Sequence, residues 1–152
     1  TLLALLFVDL DRFKIINDAM GHHVASQVIK HMIARGVAIN AGRILILGLA
    51  FKENCPDLRN TRVVDLVREL ESYGARVDVH DPLVDREDAR REYGLTVLPE
   101  LPDPAGYHGV VLAVAHDAFR PLGESLRGRA GPDAVLYDIK GVWPRQIVDG
   151  RL

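Results

Sequence analysis

The sequence predicts an α/β protein in which a doubly wound parallel sheet carries helices on both faces and follows a long helix. Short apolar segments alternate with segments of helical periodicity from about residue 43 onward, and this alternation indicates crossover connections between parallel strands. The chain has 152 residues, of which 48% are hydrophobic, so it is long enough for one compact domain with a short appendage.

Each element follows from a local pattern. The long helix is predicted over residues 17–36, because apolar residues repeat at helical spacing from Val24 onward and Gly36 suits a helix end. Strands are predicted at residues 43–48, 76–80, 95–98, 109–114 and, as the last one, 134–138. Further helices are predicted at residues 63–70, with Asn60 or Thr61 as the cap, at 85–93 and, more weakly, at 117–126.

Composition excludes several classes of function. The 19 basic and 21 acidic residues give a net charge of −2, which does not indicate a nucleic-acid partner. A single cysteine excludes a disulfide framework and fits a reducing cytoplasm. The longest apolar runs, residues 2–8 and 44–50, are too short to cross a bilayer. We therefore expect a cytoplasmic protein with no nucleic-acid or membrane partner.

The loop after the first predicted strand is the candidate ligand site, because ligands of open parallel sheets bind beyond the carboxyl ends of the strands. It lacks the glycine fingerprint of a dinucleotide turn, since Gly48 is followed by a leucine, an alanine and a phenylalanine. Instead it offers Lys52, Arg59 and Arg62 beside a helix start, which suits a diphosphate or sugar phosphate. Asp81, at the end of the second strand, could hold a ribose or simply close a turn.

The segment Phe-Lys-Glu-Asn-Cys-Pro-Asp-Leu-Arg-Asn-Thr, residues 51–61, closely resembles the signature of the UDP-binding C-terminal domain of UDP-glucose/GDP-mannose dehydrogenases. It is most similar to the branch that oxidises UDP-N-acetylglucosamine or UDP-N-acetylgalactosamine. Further similarity, in Val-His-Asp-Pro at 79–82, Ala-Val-Ala-His-Asp at 113–117 and Tyr-Asp-Ile-Lys-Gly-Val at 137–142, extends it over about residues 16–152. The resemblance implies a Rossmann-like UDP-sugar-binding domain at 43–152, preceded by a connecting and dimerisation helix at 17–36.

The resemblance also implies an activity and a set of site residues. Members of the family oxidise the sugar C6 alcohol to a carboxylate in two steps with two NAD⁺, typically for surface polysaccharides. Matching positions make Phe51 and Lys52 substrate-binding residues and direct Arg59 toward NAD. Lys140 matches a basic residue that meets the substrate from a neighbouring subunit, so a homodimer or higher oligomer is expected.

In that family the nucleophilic cysteine and the NAD-binding domain precede the central helix. Neither motif occurs in this sequence, so we expect the isolated chain to be inactive and assign it no catalytic residue. Cys55 does not match the nucleophile's motif. His22, His23 and His31 have no cysteine or carboxylate cluster to complete a zinc set, so no metal site is predicted.

Residues 1–16 carry a different likeness. Phe-Val-Asp-Leu-Asp-Arg-Phe-Lys-Ile-Ile-Asn-Asp, residues 7–18, resembles the opening motif of GGDEF diguanylate cyclase domains, in which Asp9 would bind a metal and Asn17 would read guanine. The phosphate-handling hairpin of that domain is missing from the sequence, so residues 1–16 are interpreted as a GGDEF-like fragment. Residues 16–21 fit both families, which suggests that the chain joins two unrelated coding pieces. Two alternatives stay open: an inactive GGDEF-derived nucleotide-binding protein, or a structural dimerisation module.

Overall fold

The computed structural model describes residues 19–152, and the GGDEF-like fragment with Asp9 and Asn17 lies outside them. The described chain begins with helix α1, residues 19–34. The elements that follow are β1 (Arg43–Leu47), α2 (Val63–Ser72), β2 (Arg76–His80), α3 (Arg86–Tyr93), β3 (Val97–Leu98), β4 (Gly109–Leu112), α4 (Gly123–Ala130), β5 (Val135–Asp138) and β6 (Gly150–Arg151).

The strands form one parallel sheet in the order β3-β2-β1-β4-β5-β6. The order reverses beside β1, where Leu47 lies opposite His80 of β2 on one side and Leu112 of β4 on the other. This is the doubly wound Rossmann arrangement, and it opens a crevice beyond the carboxyl ends of β1 and β4. The predicted fold class is confirmed.

Both faces of the sheet are buried, and successive residues of a strand belong to different cores. In β1, Ile44 and Ile46 join the core that contains α1, α2 and α3, whereas Leu45 and Leu47 face the opposite core with Phe119. This two-sided burial explains why β1 is a continuous apolar run and not an alternating one.

Helix α1 belongs to the domain's core. Its apolar residues Val24, Ala25, Val28, Ile29 and Met32 are all buried in the same core as Ile44 and Ile46. The turn after α1 is tied to the sheet, because Arg35 pairs with Asp149, which precedes β6. The helical periodicity that begins at Val24 therefore describes a packed face, as the sequence predicts.

Apart from β3 and β4, which are shorter than predicted, three features of the prediction differ from the structure. The strand at residues 135–138 is not the last, because β6 pairs in parallel with it, and a strand of two residues is too short to show a pattern. The helix predicted at 117–126 begins later, at Gly123, after the 3₁₀ turn Arg120–Leu122 that contains a proline. The N-cap residue of α2 is Arg62, and neither Asn60 nor Thr61 occupies that position. Thr61 still contributes a capping hydrogen bond, because its Oγ1 accepts the Val63 N–H at 3.3 Å.

Gly48 lies at the turn where the chain leaves β1, and its backbone packs closely against Val114. A substitution at Gly48 therefore tests whether the turn requires this close packing. Its φ is +97°, and a Cβ there would lie 2.5 Å from the Val114 Cβ. Gly48→Ala should lower the free energy of unfolding by about 2–4 kcal/mol, since it adds both strain and overlap. Gly128→Ala is the matched control: it lies in α4 with open space around it, so it should raise stability by about 0.5–1 kcal/mol. Equal denaturation midpoints for the two variants would contradict the packing described.

Asp149 joins α1, α4 and β5, and this role predicts an acid dependence of stability. Its carboxylate accepts from Arg127 Nη1 at 2.9 Å, from the Leu136 N–H at 2.8 Å and from Arg35. Burial opposes the charge, but these hydrogen bonds outweigh it and hold the pKa of Asp149 below its ordinary 3.8. The stabilisation is therefore present at neutral pH and is lost as the pH falls below about 4, where the unfolded chain binds the proton first.

We expect Asp149→Asn to lower the free energy of unfolding by about 2 kcal/mol at pH 7. The difference between wild type and variant should shrink as the pH is lowered from 7 to about 2.5. Urea denaturation at both pH values measures it. An equal difference at both would show that the charge of Asp149 contributes nothing.

Candidate functional site

A cavity of about 260 Å³ lies at the carboxyl edge of the sheet, between the first described residues of α1, the loop after β1 and the start of α2. Its residues come from six separate places in the chain, and they combine an apolar floor with a cationic rim. The lining consists of Met20, Gly21, Val24, Ala50, Phe51, Lys52, Asn60, Thr61, Arg62, Val63, Leu66, Ala113, Val114, Ile139, Lys140 and Leu152.

Three of the four residues predicted from the sequence meet in this cavity. Phe51 and Lys52 reach it from the loop after β1, and Lys140 reaches it from the loop after β5. The aromatic ring of Phe51 is 49% exposed, which leaves a face available for a planar group. Two ammonium groups and the Arg62 guanidinium, beside the apolar side chains of this cavity, suit an anionic ligand that has a planar or apolar portion.

The start of α2 forms one wall of the cavity. Asn60 has a left-handed backbone, with φ of +61°, and leads into Thr61, whose hydroxyl donates to the Leu49 carbonyl at 2.6 Å. This bond ties the start of α2 to the loop after β1. Arg62 pairs with Asp65 at 3.5 Å and also lines the cavity, beside the amide-rich first turn of the helix.

Arg59, the remaining predicted residue, does not line the cavity. Its guanidinium donates to both carboxylate oxygens of Asp57, through Nε at 3.0 Å and Nη2 at 2.9 Å, and its side chain is 86% exposed. The hydrogen bond from the Arg59 side chain, helped by that from its backbone N–H, lowers the pKa of Asp57 to about 2. Arg59 therefore lies at the surface, and the carboxylate of Asp57 fixes the orientation of its guanidinium group.

The loop that carries Lys140 is shaped by a buried carboxylate. Asp138, the last residue of β5, accepts the backbone N–H groups of Lys140, Gly141 and Trp143 at 2.8–2.9 Å. The side chain of Trp143 is buried and donates to the Phe119 carbonyl at 3.0 Å. Asp138, at the end of β5, therefore fixes the backbone of the loop that carries Lys140.

Asp81 closes a turn and also does more than the sequence analysis expected. Its Oδ1 accepts the Leu83 N–H at 2.9 Å, and its Oδ2 accepts the N–H groups of Leu49 and Ala50 at 2.7 and 3.0 Å. Both oxygens are engaged in a side chain with no exposed surface, so the ribose alternative does not fit this geometry.

Besides these backbone amides, Asp81 has a side-chain partner, His116, whose Nε2 lies 2.9 Å from Asp81 Oδ2. Burial alone would raise the pKa of Asp81, but hydrogen bonds from His116 and from the three backbone amides bring it down to about 2. The sequence analysis did not pair His116 with Asp81. The available signal was that each residue is the first ionisable one after a parallel strand, so both lie at one edge of the sheet.

Other candidates for chemistry remain separate from the cavity. Cys55 is partly exposed in the loop after β1 and is not among the residues that line the cavity. Within residues 19–152, no group of three or more histidine, cysteine, aspartate or glutamate side chains is arranged to hold a metal ion. The same part of the chain has no helix with the length and apolar character needed to span a membrane.

Comparison with protein families gives two matches. Residues 45–145 match the UDP-binding domain of the UDP-glucose/GDP-mannose dehydrogenase family. Residues 1–38 match the diguanylate cyclase GGDEF domain, and most of the described residues among them form α1, which packs into the core of the first domain. The first match covers the sheet and the cavity-forming loops after β1 and β5.

Relatives of known activity agree with the first match. The chain is 46% identical over 138 residues to UDP-N-acetyl-D-glucosamine 6-dehydrogenase of Salmonella typhi, and 48% identical over 138 residues to the Pseudomonas aeruginosa protein of the same name. Each alignment covers 90% of this chain and 32% of that relative, so the chain spans about a third of those proteins.

Solved structures share the fold. NDP-N-acetyl-D-galactosaminuronic acid dehydrogenase of Methanosarcina mazei Go1 superposes with a TM-score of 0.76 at 22% identity, over 88% of this chain and 29% of that one. A UDP-glucose dehydrogenase of Pyrobaculum islandicum gives 0.64 at 28% identity, over 88% and 29%. The fold, the loop sequence and the relatives agree: this chain belongs to the UDP-glucose/GDP-mannose dehydrogenase family and corresponds to its C-terminal UDP-binding domain.

Proposed function

We propose that the cavity between α1, α2 and the loops after β1 and β5 binds the UDP portion of a nucleotide sugar. The observation that carries this proposal is the meeting of Lys52 and Lys140 at one rim, beside the first turn of α2. Ammonium groups are common partners of a diphosphate, and the first turn of a helix adds partial positive charge. Phe51 offers an exposed aromatic ring to a nucleobase or a sugar.

We further propose that the parent enzyme oxidises the C6 alcohol of a UDP-N-acetylhexosamine to a carboxylate in a pathway of polysaccharide synthesis. This rests on the names of the two relatives that are 46% and 48% identical, both UDP-N-acetyl-D-glucosamine 6-dehydrogenases. The isolated chain, which corresponds to about a third of either relative, is expected to bind and not to catalyse.

NAD is proposed as the oxidant of the whole enzyme, but the first turn of this sheet does not fit a dinucleotide. The Leu49 and Ala50 amides that would face a pyrophosphate are already bonded to Asp81. In this proposal, Arg59 is the residue through which this chain contributes to NAD binding. It projects from the surface, and Asp57 orients its guanidinium group. In this proposal NAD is bound mainly by another domain of the enzyme.

Dimerisation through α1 and a cytoplasmic location stay predictions. Ile33, near the end of α1, is 58% exposed and points away from the core that buries Val28, Ile29 and Met32. A single exposed isoleucine does not by itself mark an interface, so the prediction of self-association rests on the family resemblance. Sedimentation of the chain over a range of concentrations measures whether this occurs.

The proposed function predicts which nucleotide the chain binds. Isothermal titration with UDP, GTP, cyclic di-GMP and NAD separates the alternatives that the sequence leaves open. We expect saturable heat with UDP, and none with GTP, cyclic di-GMP or NAD at the same concentrations. Binding of GTP or cyclic di-GMP without a response to UDP would favour the GGDEF-derived alternative. No binding of any of the four would favour a structural module.

Lys52 should act on the phosphates. Lys52→Ala should weaken UDP binding by about 1–3 kcal/mol, as expected for loss of a charge-assisted hydrogen bond. The loss should disappear when uridine replaces UDP, because uridine carries no phosphate. Lys30→Ala is the matched control, since Lys30 is an exposed lysine of α1 outside the cavity. Unchanged UDP affinity in Lys52→Ala would remove Lys52 from the site.

A further inference from the structure

The buried Asp81–His116 pair lies directly behind the segment that carries Phe51 and Lys52. Asp81 follows β2 and His116 follows β4, the two strands that flank β1. The side chains are 0% and 1% exposed, and the atoms Asp81 Oδ2 and His116 Nε2 are 2.9 Å apart. Neither residue lines the cavity, so neither is in position to touch a ligand there.

Each member of the pair bonds to a different end of that segment. Asp81 Oδ2 accepts the N–H groups of Leu49 and Ala50, at 2.7 and 3.0 Å. His116 Nδ1 accepts the N–H group of Asn54 at 2.9 Å. The two cavity residues, Phe51 and Lys52, lie between these anchors. A single buried pair therefore anchors the backbone on both sides of Lys52, and the Phe51 N–H adds a bond within the loop to the Asp57 carbonyl at 2.8 Å.

The chemistry of the pair makes the two anchors interdependent. Because Asp81 accepts from Nε2, the ring of His116 carries its proton there, which leaves Nδ1 as the acceptor for Asn54. Asn54 has a left-handed backbone, with φ of +58°, and its side-chain oxygen accepts the Asp117 N–H at 2.9 Å. The far end of the segment is thus bonded to His116 and Asp117, just beyond β4, through these two bonds.

We propose that Asp81 and His116 form a positioning pair, which holds the 51–54 segment so that Lys52 faces the cavity. The inference rests on the proposed function, since Lys52 is taken to meet the phosphates of UDP. It adds that UDP affinity depends on two buried residues with no ligand contact. The dependence is indirect and passes through Lys52.

A double-mutant cycle tests this. His116→Leu removes both hydrogen bonds of the ring, and we expect it to weaken UDP binding about tenfold, as for the loss of Lys52 orientation. In a Lys52→Ala background the same change should weaken binding less than about twofold. His116→Asn should largely restore affinity, because its Oδ1 can take the place of Nδ1 as acceptor for Asn54. His23→Leu, at an exposed histidine of α1, is the matched control.

A measurement without ligand separates this inference from the proposed function. In His116→Leu, amide hydrogen exchange should accelerate at residues 51–54 and stay unchanged in β1 and β2. If His116→Leu does not fold, an NMR measurement on the wild-type chain still tests the bond between His116 and Asn54. Its Asn54 amide should show a scalar coupling through the hydrogen bond to His116 Nδ1.

The outcomes are distinct. If wild type does not bind UDP, the proposed function fails, whereas faster exchange at 51–54 would still establish the pair as the anchor of the loop. Additive losses for His116→Leu and Lys52→Ala, unchanged exchange, or an absent coupling in wild type would each overturn the positioning role.

Discussion

The carboxylate of Asp81 is the interaction on which the functional edge of this domain depends. It lies at the end of β2 and accepts two amides of the chain leaving β1, one amide of its own turn and the ring of His116 beyond β4. A buried charge of this kind is costly unless its lone pairs are satisfied, and here four donors satisfy them. The hydrogen bonds that offset the free-energy cost of burying this charge also determine the position of the loop after β1.

The position of the cavity follows from this constraint and from the topology. Parallel strands bring their carboxyl ends to one edge, and the order reversal beside β1 leaves room there for a ligand. In a typical dinucleotide site the first turn offers its amides to a pyrophosphate. Here those amides are bonded to Asp81, and the loop that follows places Lys52 in the same cavity as Lys140. In the proposed function, this difference is what allows a Rossmann-like sheet without a glycine fingerprint to bind a UDP-sugar.

The sequence predicted the sheet well, because β1, β4 and β5 are buried on both faces and read as continuous apolar runs. Lys52 was a candidate from the cations of its loop, whereas Phe51 and Lys140 followed from the family resemblance. The pairing of Asp81 with His116 and the fork between Arg59 and Asp57 depend on side-chain geometry that composition and periodicity do not carry. Strand β6, with two residues, was missed because its pairing with β5 is a tertiary contact.

The most direct test of the central claim is a crystal structure of this chain with UDP. The account predicts the diphosphate within hydrogen-bond distance of Lys52 and Lys140, and the uracil or ribose against the apolar lining of the same cavity. The loop after β1 should keep its bonds to Asp81 and His116. UDP bound elsewhere on the domain, or seated here with its phosphates away from both lysines, would contradict it.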